Sequence, residues 1–258
     1  PLIKMRYDGT DEDTMVKHTL EIASELQTLI NKTYDYYAFK LHNVKTHFLN
    51  IKQEVIARRA FWGQAKKRYA MQIINKKGVP VNELDIKGFD TVRSNFPKSF
   101  RAMMRNLFIS ILDDKTPAQL QIEIRAFKSK YNKMPILEIM VPTGVKEISK
   151  YINGQKGTPI HIKSAQNYNS LLNVFNLGGY APIDDGDKIL YAYLKQNPFG
   201  FETMAVNGYD DPIELIDFVE KYIDRDKIFK QVLFGKLEQL WDDLGFGKLD
   251  LDTNDVLF

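Results

Sequence analysis

One stretch constrains the fold more than any other, a run of apolar residues at helical spacing between positions 100 and 112. They recur at i, i+3, i+4, i+7, i+8, i+11 and i+12, on one helix face: Phe100, Met103, Met104, Leu107, Phe108, Ile111 and Leu112. The spacing predicts an amphipathic helix that packs this stripe into a core and ends at Asp113. Phe100 and Phe108, like Trp241 further on, are therefore expected to be core residues.

A second helix is predicted directly after it. Thr116 can cap the N-terminus, Pro117 suits the first helical position, and Gln119 completes a capping box. We expect this helix to run to Tyr131 and to stop before Pro135.

The pattern of apolar residues changes from helix-like to strand-like within the part of the chain that precedes these helices. Residues 12–49 have helical spacing, whereas residues 54–74 are rich in β-branched and aromatic side chains. The sequence Asn75-Lys76-Lys77-Gly78 predicts the turn of a β-hairpin, in which Gly78 can take a positive φ.

Residues 134–200 are punctuated by glycine and proline, with a predicted strand at 189–194 and a turn at 197–200. Residues 184–187 suit a tight turn better than a calcium loop, because the twelve-residue pattern ending in Glu is missing. Residues 213–244 predict a long or broken amphipathic helix. The chain is therefore expected to have an α+β fold.

Several classes of protein are disfavoured by composition. The chain has no cysteine, which rules out disulfides and thiolate metal sites and suits a reducing cytosol. Its charged start predicts no signal peptide, and no run of about 18 apolar residues could span a membrane. The first residue, Pro1, suggests a processed chain or a piece of something longer. Four histidines at unsuitable spacing give no metal site.

Charge is unevenly distributed along the chain. Residues 58–105 carry twelve lysines and arginines against three acidic residues, whereas residues 182–258 carry seventeen acidic residues against eight basic ones. A basic middle beside an acidic end suggests a polyanion partner for the middle. A solvated charged face is the alternative interpretation.

The sharpest local signal is the sequence from Phe61 to Ala70, FWGQAKKRYA. On a predicted strand, Lys67 and Tyr69 share a face and Arg68 points the opposite way. A cation and a hydroxyl-bearing ring on one face can contact a phosphate or a minor-groove base edge. A charged edge strand that blocks aggregation remains the alternative.

This sequence, followed by Asp85-Ile86-Lys87-Gly88, resembles the end of the palm in family B DNA polymerases, especially the bacteriophage-type branch. Residues 87–93 resemble the strand that leads into the family's thumb, and three later segments recur in the same order as in the phage thumb: 161–163, 181–188 and 197–200. The last three residues resemble the clamp-binding peptide: Val256, Leu257 and Phe258. The resemblance therefore covers nearly the whole chain.

The resemblance implies that residues 1–84 are the last part of the palm, with helices and a β-hairpin. Residues 85–258 would be a mostly helical thumb with small β elements and a clamp-binding tail at about 252–258. In the family, Lys67 and Tyr69 would touch the minor-groove side of the primer terminus. Charge and position add further expected DNA contacts: Lys66, Arg68, Lys87, Arg93, Lys98, His161 and Lys163.

The sequence departs from the family in one respect that decides its chemistry. The D-x-x-S-L-Y-P-S-like and D-T-D motifs that hold the catalytic metal ions are missing, as are the fingers and the exonuclease domain. We therefore expect no catalytic residue, metal site or cofactor on this chain, and Mg²⁺ only in an assembled polymerase.

Two interpretations stay open. The chain is either a portion of a polymerase, truncated or split, or a stand-alone module that binds nucleic acid without catalysis. The expected partners are primer–template DNA, a sliding clamp and, for a split enzyme, a separate chain with the catalytic palm and fingers. The expected location is the cytoplasm, that of the host cell if the protein is viral.

Overall fold

The computed structural model describes residues 11–89, 94–151 and 156–251. The fold is α+β, as expected, with helices and two three-stranded sheets. The chain divides into two compact units, Pro1–Phe61 with Tyr69–Ile86, and Trp62–Arg68 with Lys87–Phe258. Within these described ranges, no helix combines the length and the apolar character needed to cross a bilayer.

The first unit opens with helix α1 (Glu12–Asp35), capped by the Asp11 carboxylate, which accepts the Thr14 N–H at 3.0 Å. A π-helical turn (Tyr36–Leu41) follows. The predicted helix to residue 49 is therefore wrong in its extent. Asn43 takes a φ of 52°, a left-handed conformation typical of the residue that ends a helix.

Side chains of α1 also hold the returning chain outside the helix. Asn31 accepts the Ile51 N–H at 2.8 Å and donates to the Ile51 carbonyl at 3.1 Å. Gln27 accepts the Gln53 N–H at 3.0 Å. These three bonds satisfy backbone groups that a continued helix would have used internally.

A three-stranded sheet completes the unit, with β1 (Val55–Trp62), β2 (Tyr69–Lys76) and β3 (Val79–Lys87) in consecutive order. The predicted hairpin is confirmed. Gly78 has a φ of 86°, and the Asn75 side chain accepts its N–H at 3.0 Å. This short turn requires the left-handed conformation that glycine adopts without steric cost.

The core of the first unit is small. Helix α1 contains no fully buried residue. Large apolar side chains at its C-terminal end and beyond are exposed, and Phe48 is 99% exposed. We call residues 36–49 the aromatic segment; its exposed apolar residues are Tyr36, Tyr37, Phe39, Leu41, Val44, Phe48 and Leu49.

The second unit contains α2 (Lys98–Leu112) and α3 (Pro117–Tyr131). The predicted stripe on α2 is confirmed, because six of its seven residues are buried and Ile111 is half-buried. The capping box is also confirmed: the Gln119 N–H donates to the Thr116 hydroxyl, and the Thr116 N–H donates to the Gln119 side chain. Helix α3 ends at Tyr131, as predicted.

A second sheet is antiparallel and has the order β4–β5–β6, formed by Val141–Gly144, Lys188–Tyr193 and Thr203–Val206. The short helix α4 (Ile136–Ile139) precedes it, and α5 (Ile160–Val174) packs against its last strand. The predicted strand and the turns at 184–187 and 197–200 are confirmed.

The predicted broken helix near the C-terminus is confirmed as well. It consists of α6 (Ile213–Tyr222), α7 (Arg225–Ile228), a π-helical turn (Phe229–Phe234) and α8 (Gly235–Asp243). Trp241 on α8 is 1% exposed, and Phe100 and Phe108 are fully buried. All three aromatic side chains thus belong to the core, as expected.

Candidate nucleic-acid interface

The three consecutive cations lie in a turn between β1 and β2, which we call the basic turn (Lys66–Arg68). Lys67 has a φ of 62°, and the Arg68 N–H donates to the Ala65 carbonyl at 3.3 Å. The Gly63 N–H closes the turn on the Arg68 carbonyl at 3.0 Å. The predicted strand is therefore wrong here, and the alternation that gave Lys67 and Tyr69 a common face does not apply.

Lys66 and Lys67 are exposed, but Arg68 points into the interior of the second unit, to which the basic turn itself belongs. Its guanidinium lies 4.6 Å from the centre of the Phe89 ring, and its Nη1 lies 3.3 Å from Oδ2 of Asp243. The Arg68 side chain is 13% exposed and that of Asp243 only 5%. Arg68 thus occupies an internal ion pair, whereas the two lysines face solvent.

Two glycines allow the chain to approach the basic turn closely. A Cβ on Gly88 would lie 2.4 Å from the Lys67 carbonyl oxygen, and Gly88 also has a φ of 74°. A Cβ on Gly63 would lie 2.8 Å from Oδ2 of Asp243. Gly88 therefore requires glycine, because a side chain there would be strained and would meet backbone atoms, whereas a side chain at Gly63 would force the Asp243 carboxylate to shift.

Two segments that were each predicted from the sequence to contact DNA pack against each other. Gly88 and Phe89 follow directly after Lys87, the exposed last residue of β3, and both touch the basic turn. The backbone of Lys87 is therefore brought near that of Lys67. In the first unit, the Tyr69 hydroxyl donates to the Asp85 carboxylate at 3.3 Å.

The remaining predicted DNA contacts lie elsewhere. Lys98 is exposed on the first turn of α2, and His161 and Lys163 are half-buried on the first turn of α5. Burial lowers the pKa of His161, so its ring is uncharged at neutral pH and is a weak partner for phosphate. Arg93 and the tail residues Val256, Leu257 and Phe258 lie outside the described residues.

One residue that contacts the basic turn was missed by sequence reasoning. Asp243 ends α8, and besides pairing with Arg68 it accepts the Gln64 N–H at 3.2 Å. The Gln64 side chain also donates to the Asp242 carbonyl at 3.4 Å. Asp243 lies in the acidic end of the chain and 179 positions from Gln64, so no local pattern connects it with the basic turn.

The arrangement is suited to binding an anion. The basic turn presents two solvent-facing ammonium groups. Its conformation is stabilised by hydrogen bonds and by an internal ion pair. Over residues 11–89, 94–151 and 156–251, no three His, Asp or Glu side chains are grouped closely enough to hold a metal ion.

Comparison with known proteins does not assign the chain to a family. No protein-family model matches the chain, and a search of curated proteins finds no match either.

Proposed function

We propose that the chain is the palm and thumb portion of a bacteriophage-type family B DNA-directed DNA polymerase and holds the primer–template duplex. The observation that carries the proposal is the basic turn. It presents Lys66 and Lys67 to solvent while Arg68, Gly88 and Phe89 pack behind them. Two segments that each resemble a motif of the family thus pack against each other in one local structure.

The grip acts through charge. Lysine ammonium groups on a fixed turn contact phosphate oxygens and release counterions, which gives affinity without sequence preference. Lys66 and Lys67 are the principal contacts. Tyr69 follows them in the sequence, and Lys87 directly precedes Gly88, which packs against the Lys67 carbonyl. Arg68 supports the turn instead of touching DNA, because its side chain is only 13% exposed.

Substitution of Lys67 tests the grip. Duplex affinity is measured by fluorescence anisotropy over a range of salt concentrations for the wild type and for Lys67→Ala. We expect the slope of log affinity against log salt to become shallower by roughly 1, because one phosphate contact is lost.

Lys77→Ala is the matched control. Lys77 is also an exposed lysine at positive φ, 53° against 62° for Lys67, but it lies in the other turn of the hairpin sheet. Equal effects of the two substitutions would contradict a specific role for the basic turn. Wild-type binding that is absent or independent of salt would contradict the grip itself.

Catalysis is assigned to other residues of the assembled enzyme. The aspartate motifs that hold Mg²⁺ in this family are missing from the sequence. The described part of the chain offers no group of three metal-binding side chains in their place. We therefore place no step of nucleotidyl transfer on this chain, and Mg²⁺ would act in the assembled polymerase. That enzyme would work in the cytoplasm of a host cell if the protein is viral.

A stand-alone module that binds nucleic acid is the second candidate. The aromatic segment favours the first, because its exposed apolar side chains are typical of a surface that another polypeptide covers. Mixing the chain with a chain that carries the catalytic palm and fingers distinguishes the candidates. Restored primer extension supports the split polymerase, whereas a tight complex without activity favours the module.

The proposed clamp contact has a test of its own. Deleting Leu257 and Phe258 should abolish binding to a sliding clamp in a pull-down, and duplex affinity should not change. Clamp binding that persists after the deletion would remove this part of the proposal.

A further inference from the structure

We infer that Asp243 is a positioning residue, which fixes the basic turn in the shape that presents Lys66 and Lys67 to a polyanion. The inference rests on the proposed function and extends it to a residue that does not touch DNA. Asp243 would contribute to DNA binding although it carries the same sign of charge as DNA.

The buried charges of Arg68 and Asp243 depend on each other. Nε of Arg68 and Oδ2 of Asp243 are buried without a hydrogen-bond partner, so the ion pair between the side chains is the main compensation for both. Removing either charge leaves the other one uncompensated in the interior. The basic turn would then have to move so that the remaining charge reaches water.

Several separate contacts also converge on the Asp243 carboxylate. Oδ1 of Asp243 accepts the Gln64 N–H, Oδ2 faces Arg68, and Gly63 lies so close that a Cβ there would clash with Oδ2. Residues 63, 64 and 68 begin and end the loop that carries the lysines. One side chain thus fixes both ends of that loop.

The sign of the expected effect separates positioning from simple electrostatics. Removing a negative charge near a DNA site should tighten DNA binding if charge alone matters. The substitution Asp243→Asn keeps the size of the side chain and removes its charge. If Asp243 positions the turn, the same substitution weakens binding.

The experiment compares Asp243→Asn with Glu238→Gln, which removes the same charge from an exposed position on the same helix. Hydrogen exchange of the peptide covering residues 63–68 reports on the turn, and anisotropy with duplex DNA at several salt concentrations reports on binding. We expect exchange to be about tenfold faster in Asp243→Asn only, with weaker DNA binding. In Glu238→Gln, we expect binding that is unchanged or slightly tighter.

Unchanged exchange in Asp243→Asn would overturn the inference, as would faster exchange with DNA binding as tight as in Glu238→Gln. The double variant Arg68→Gln, Asp243→Asn covers the case in which the single variant fails to fold, because it leaves no uncompensated charge; its turn should also exchange faster than the wild-type turn. If the wild type shows no salt-dependent DNA binding, the proposed function fails, and the exchange comparison still decides whether Asp243 fixes the turn.

Discussion

Replacing Gly88 with alanine tests the packing behind the basic turn. The added Cβ would lie 2.4 Å from the Lys67 carbonyl oxygen, 2.9 Å from Cγ of Arg68 and 3.0 Å from its Cα. Two of these three atoms belong to the backbone, so a change of side-chain rotamer cannot relieve the clash. The chain has to separate from the basic turn.

Two energetic terms add in this variant. An L-residue in the left-handed conformation is less stable than glycine by about 1–2 kcal/mol. Forcing a backbone shift in a packed region adds about 1–3 kcal/mol. We therefore expect Gly88→Ala to lower the free energy of unfolding by roughly 2–5 kcal/mol.

Gly200→Ala separates the two terms. Gly200 has a φ of 67°, close to the 74° of Gly88, but a Cβ there would meet nothing within 4 Å. The variant Gly200→Ala should have only the cost of the left-handed conformation, which lowers its free energy of unfolding by about 1–2 kcal/mol. Alanine also reduces the entropy of the unfolded chain equally in both variants, so that contribution cancels in the comparison.

Urea-induced unfolding followed by circular dichroism provides the measurement. The midpoint should fall further for Gly88→Ala than for Gly200→Ala, while the slope with urea stays the same. Equal losses in the two variants would refute the close approach of Gly88 to the basic turn.

Two further predictions concern the second unit. The Arg225 guanidinium donates to the carbonyls of Tyr131 at 3.1 Å and Met134 at 2.9 Å, so Arg225→Met should lower the free energy of unfolding by roughly 2–4 kcal/mol. The exposed Lys230→Met is its control in the same urea assay, and equal losses would contradict the role of these bonds. Burial lowers the pKa of His161, so the unfolded chain binds the proton more tightly, and stability is lost as the pH falls through the ordinary histidine range near 6.5. Between pH 7.5 and pH 5.5 the unfolding midpoint of the wild type should therefore fall more than that of His161→Gln, and identical falls would refute this assignment.

The parts of the fold that were predicted correctly depend on neighbouring residues. The stripe on α2, the capping box at Thr116 and the turn at Gly78 each follow from side chains a few positions apart. Helical spacing, cap hydrogen bonds and the conformational freedom of glycine act over this range. Their physical causes are therefore visible in the sequence itself.

The errors arise where distant residues decide the outcome. The helix predicted to reach residue 49 ends early, and polar side chains of α1, including Asn31, bind the chain that returns beside it. Hydrophobic spacing contains no information about such bonds.

The candidate site was predicted in part for the same reason. Its lysines are recognisable as a local cluster of cations, and their exposure agrees with that interpretation. The interior position of Arg68 depends on Phe89 and on Asp243 at the end of α8. A count of charges along the sequence treats Arg68 as equivalent to the lysines, although burial and pairing give it a different role.

The aromatic segment has a practical consequence for work with this protein. Dyes that fluoresce on apolar surfaces usually report unfolding or a molten globule. Here the folded chain already exposes Tyr36, Tyr37 and Phe48. Such a dye should fluoresce before any heating and should lose signal when a genuine partner covers the segment, so the native baseline becomes a titration signal for complex formation.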